Sequence, residues 1–149
     1  MEDERFTPLW RRHLPALALG LLNVFLIGLG MGVPILAIAL GIPVGWHLGR
    51  RASDVSREWL GGVTRRAAAL AGVSALVLLV VWGPHIPTVL APGFDAAAWG
   101  IPLILYTSRA SGIGWMALMI VVSPLLQAAL TVTSAVIATV APPSVGTRG

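Results

Sequence analysis

The sequence predicts an all-α integral membrane protein of four transmembrane helices that begin with a tight helical hairpin. Three observations predict it. Apolar residues make up 56% of the chain and charged residues only 11%, whereas a soluble chain carries about 25% charged residues. All ten basic residues are Arg, and nearly all of them flank apolar runs. The six tryptophans gather near the ends of those runs, as in a membrane aromatic belt.

The first apolar stretch, Leu14 to Leu48, contains no Asp, Glu, Lys or Arg. As one straight helix it would measure roughly 52 Å at about 1.5 Å per residue, far beyond a hydrocarbon core of about 30 Å. Gly28, Gly30, Gly32 and Pro34 mark the break, because glycines weaken a helix and Pro34 disfavours the helical conformation of Val33. The hairpin arms are therefore spans one and two, 14–30 and 34–49, both short for a full crossing. Acidic residues at the N-terminus, and an apolar core that runs on to Gly32 with no Ala-x-Ala site at its end, favour a retained first span over a cleaved signal.

The segment 50–66, with Arg50, Arg51, Arg57, Arg65 and Arg66, reads as a basic cytoplasmic loop. Val55, Trp59, Leu60 and Val63 have spacings that would also suit a short amphipathic helix on the membrane surface. Span three, 67–83, is the most aliphatic, and Pro84 and Pro87 are expected to end it. Residues 84–112 read as an outer loop with an interfacial or re-entrant excursion. A fifth span over Ile86 to Thr107 is the alternative, opposed by Pro87, Pro92, Gly93, Asp95, Gly100 and Pro102. Span four, 114–139, carries Pro124 near its middle, which predicts a kink.

Arg5, Arg11 and Arg12 join the five arginines of 50–66 on one side, while the hairpin bend has no basic residue and 84–112 only Arg109. The positive-inside rule then places both termini in the cytoplasm and the chain in a prokaryotic inner membrane as a single multi-pass domain. Trp10, Trp46 and Trp59 fall near the cytoplasmic boundary, and Trp82, Trp99 and Trp115 near the other.

Polar side chains inside spans are the candidate functional groups, since hydrocarbon leaves them no solvent partner. Asn23, Ser74 and Gln127 arrive at similar depth on spans one, three and four, which suggests a shared hydrogen-bonded layer. Ser123, Gln127, Thr131 and Ser134 form a polar stripe along span four. These groups either fasten helices together or line a substrate or lipid site. Ala37, Gly41, Gly45 and Gly49 on span two make a small-residue ridge for close helix packing, with Pro43 expected to bend it. The ridge's partner is open between span one and a second subunit. Asp95 and Arg109 are the outer charges and form a candidate ligand or partner loop with Tyr106, Thr107 and Ser108.

Without cysteine, thiolate metal sites and cysteine nucleophiles are excluded. No serine elbow, His-Glu-x-x-His or phosphate loop is present, so no catalytic residue, metal or cofactor is expected. The arginines read as topology signals, not as a nucleic-acid surface. In length and span number the chain is similar to small multidrug transporters, but span one has no glutamate. The expected function is a non-enzymatic accessory or oligomerising subunit, partnered by the bilayer and by its own copies or a larger membrane complex. A small transporter or channel using the polar midplane layer is the first alternative. A haem-binding subunit with His13 and His47 as axial ligands is the second.

Overall fold

The computed structural model describes residues 9–29, 34–52, 55–93 and 109–141, with side chains described from Leu14 and, in the last segment, from Ala110. Those residues are helical, with no strand among them. Helix α1 is Leu9–Leu29, α2 Ile35–Arg50 and α3 Arg57–Trp82. A 3-10 turn, Gly83–His85, leads into the short α4, Ile86–Leu90. Helix α5, Arg109–Ala117, passes through a π-helical segment, Leu118–Val122, into α6, Ser123–Val140. Two helical stretches, Arg57–Leu90 and Ala110–Val140, are long and apolar enough to cross a membrane, and Leu14–Leu29 and Ile35–Arg50 are shorter apolar helices.

Several boundaries differ from expectation for local reasons. The segment 50–66 is not mainly loop, because α3 begins at Arg57. Ser56 caps it, its side chain accepting the Trp59 backbone N–H at 3.1 Å, and Glu58 occupies the first turn where the helix dipole favours an acid. The arginines mark a change of polarity and not an end of helix. Pro84 and Pro87 likewise fail to end the helical path. Each stands at the first or second position of a new helical segment, where a missing N–H breaks no bond. Within the expected outer loop 84–112, helix therefore continues to Leu90 and resumes at Arg109.

The expected kink at Pro124 takes the form of the π segment just before it. The Ser123 N–H donates to the Leu118 carbonyl, five residues back, and the Ser123 hydroxyl donates to the same oxygen at 2.8 Å. One turn is thus widened ahead of a residue that has no N–H to give. Pro43 does not interrupt the small-residue ridge of α2. It is exposed, on the side away from buried Ala37, Gly41, Gly45 and Gly49.

The helices form a square in which α2 and α6 share the most extensive interface, α3 lies beside α6, and α1 bridges α3 and α2. Polar side chains share the interior with apolar ones, while large apolar side chains cover the surface. Asn23, Ser74, Ser123, Gln127, Thr131 and Ser134 are buried, whereas Leu17, Leu21, Phe25, Leu76, Val80 and Leu125 are each more than 60% exposed. Ile27, Ala37 and Leu78 form the apolar core beside the polar groups.

Candidate functional site

Ser74 is on the buried face of α3 with Leu70 and Leu78, and Gln127 is on the buried face of α6 with Thr131 and Ser134. Asn23 and Ile27, one turn apart, are the buried residues of α1 among those described. Three side chains from three helices meet in a closed ring. Asn23 Nδ2 donates to Ser74 Oγ at 2.7 Å, the Ser74 hydroxyl donates to Gln127 Oε1 at 2.5 Å, and Gln127 Nε2 donates to Asn23 Oδ1 at 3.0 Å. The second Gln127 N–H reaches the Ala37 carbonyl on α2 at 2.7 Å. That carbonyl only accepts, so it fixes the orientation of the Gln127 amide and with it the direction of the ring. All four helices are tied at one level.

Asn23, Ser74 and Gln127 are at most 1% exposed. Each polar atom of the three side chains has a partner. In a low-dielectric surrounding such a network is strong when complete and costly when broken. Thr131 and Ser123 of the α6 stripe bond locally. Thr131 Oγ1 donates to the Gln127 carbonyl at 2.8 Å, and Ser123 is held by Leu118 as described.

The small-residue ridge packs on α6 of the same chain, neither on span one nor on a second subunit. A methyl group on Gly41 would lie 2.7 Å from the Gln127 carbonyl oxygen. One on Gly45 would collide with the Thr131 carbonyl and lie 2.8 Å from Ser134 Cβ. One on Gly49 would collide with the Ala135 carbonyl and lie 2.7 Å from Ala138 Cβ. Glycines at steps of four thus meet carbonyls at steps of four on a parallel helix, an arrangement suited to weak Cα–H···O contacts. Arg50 closes the seam, donating to the Ala141 carbonyl just past the end of α6 at 3.0 Å.

At about 1.5 Å per residue, Ser74 stands about 25 Å from Arg57 and about 24 Å from Leu90, midway along the α3–α4 path. On the hairpin the same level is off centre. Pro34 lies only about 4.5 Å beyond Ala37, and Leu29 about 9 Å beyond Asn23.

The remaining candidates are not brought into this site. Arg109 opens α5, while its side chain and all of Asp95 lie outside the described residues, as do Tyr106, Thr107 and Ser108. His47 is exposed in the last turn of α2, and the His13 side chain is outside the described residues. No group of three His, Cys, Asp or Glu that would hold a metal occurs among the described residues. Reasoning from sequence missed the Ala37 carbonyl and the Arg50 latch, both of which involve backbone acceptors that no residue type announces. It also missed an apolar groove of about 590 Å³ between α1, α2 and α3. No protein-family description, curated protein or solved structure matches the chain.

Proposed function

We propose that this chain is a non-enzymatic accessory subunit of a cytoplasmic-membrane complex, with its arginine-rich end and both termini in the cytoplasm. The observation that carries this reading is the closed, buried ring. A transport or binding site at mid-depth needs polar groups free to exchange partners with a solute, and here Asn23, Ser74 and Gln127 bond to one another away from any surface. The exposed face supports the bilayer, since a surface of Leu, Val and Phe around an interior that encloses Asn, Gln, Ser and Thr side chains suits hydrocarbon and not water.

Depth adds detail to the topology. With the ring at the midplane, the outer boundary lies about 15 Å away, half of a core of about 30 Å. Helices α3–α4 and α5–α6 reach it. The described arms of the hairpin end short of it, at Leu29 and Pro34. With its glycine ridge occupied by α6, the chain meets companions through other faces, which favours a larger complex over ridge-mediated self-association.

One observation favours a second reading. Helix α2 begins at Ile35, within one turn of the ring-bonded Ala37, so its N-terminus stands close to the level of the ring, a device by which transporters hold anionic groups. Native mass spectrometry of the protein released in mild detergent, paired with solute flux in proteoliposomes, separates the two. A subunit is expected to carry a companion chain and conduct nothing. Flux that is lost in Gln127→Leu with helix content intact would replace the subunit reading by the transporter one.

A further inference from the structure

We infer that the groove between α1, α2 and α3 holds one anionic phospholipid of the cytoplasmic leaflet, its phosphate on Arg66 and one acyl chain along the groove. The inference rests on the bilayer reading above. The groove is roughly twice the volume of the apolar cleft between α3, α4 and α5, at about 590 against about 280 Å³. Leu19 and Gly20 of α1, Val44 of α2, and Leu70 and Val73 of α3 are among its walls. A methyl group on Gly20 would meet nothing within 4 Å. This glycine therefore deepens a space instead of permitting a close approach, in contrast to Gly41, Gly45 and Gly49.

The space matches one leaflet in depth. Val73 adjoins the ring residue Ser74, and Arg66 stands about 12 Å from that level along α3. The boundary of the hydrocarbon is about 15 Å from the midplane. The groove thus runs from mid-bilayer to the height at which a snorkelling guanidinium meets lipid phosphate. Among the described residues Arg66 is exposed and is the single charged residue of the lining, with Arg65 exposed beside it and no acid lining the groove. Arginine forms paired, charge-assisted hydrogen bonds with phosphate. An acyl chain in the groove also gives the poorly buried half of α1 a partner.

The test uses full-length protein in mild detergent, titrated with phosphatidylglycerol or phosphatidylcholine of identical chains and read by native mass spectrometry. Wild type is expected to retain one phosphatidylglycerol with about tenfold preference over phosphatidylcholine. Gly20→Leu, which fills space the chain leaves open, is expected to lose retention of both with helix content unchanged. Arg66→Gln is expected to keep retention and lose the preference. Equal retention in wild type and Gly20→Leu overturns the proposal, as does a Gly20→Leu variant whose only change is loss of a bound second copy. Resistance of the wild type to alkaline extraction from membranes is measured in parallel. An embedded protein with no lipid preference refutes the groove occupant alone, whereas an extractable one refutes the bilayer reading beneath it.

Discussion

The α2–α6 seam and the α1 flank meet at the same hydrogen-bonded ring but are held by opposite means. Along the seam, three glycines in succession lie against backbone carbonyls, and there is no room for a methyl group. Along α1, Asn23 and Ile27 are the buried residues, and the half nearer the arginines stands off from its neighbours around a groove. Close backbone packing fastens the first pair along its length. The second depends on a few bonds at one level. The difference shows that a glycine in an apolar helix has no single meaning: Gly45 and Gly20 both lie in apolar helices and have opposite spatial surroundings.

That contrast sets the size of the expected effects. Gly45→Leu forces a side chain into the Thr131 carbonyl and is expected to cost about 3 kcal/mol or more, seen as a large drop of the thermal midpoint in detergent or loss of folded protein. Gly20→Leu in the same assay should move stability by no more than about 0.5 kcal/mol. If the two substitutions behave alike, the contrast fails. Gln127→Leu removes one hydrogen bond to each of three helices. At about 0.6 kcal/mol for each bond in a membrane protein it should cost about 2 kcal/mol with helix content retained.

Asn23→Leu removes two ring bonds and should cost about 1 kcal/mol, concentrated on α1. Proteolysis or cross-linking between α1 and α3 is expected to register it, while cross-linking between α2 and α6 stays unchanged. A double-mutant cycle of Asn23→Leu with Gln127→Leu should then show coupling, because the two residues share a bond. Smallest of all, Arg50→Gln loses an exposed bond to the end of α6 and should cost about 0.3 to 1 kcal/mol, less at high salt.

The seam and the flank were legible to different degrees. Asn23, Ser74 and Gln127 could be placed at one depth by counting residues within apolar runs, because hydrocarbon gives polar groups so few other places to bond. The spacing of Ala37, Gly41, Gly45 and Gly49 announced close packing, yet nothing in α2 itself says that α6 is the helix it meets. That choice is made by carbonyls at Gln127, Thr131 and Ala135, and every residue has a carbonyl. Charge misled at Arg57 to Arg66, since it reports a change of polarity and says little about helix ends. Proline misled at Pro84 and Pro87 as a stop to the helical path, because its effect depends on whether its N–H would have been bonded. The groove beside Gly20 could not be read, because empty space depends on where neighbouring helices diverge.

The placement of these helices in a bilayer is tested most directly by single-cysteine labelling, which has no background because the chain contains no cysteine. Ser56→Cys and Pro92→Cys would be exposed to a membrane-impermeant maleimide in intact cells and in inverted vesicles. Labelling of position 92 from outside only and of position 56 from the cytoplasmic side only is the expected result. Positions 56 and 92 reacting from the same side would contradict the crossing of α3.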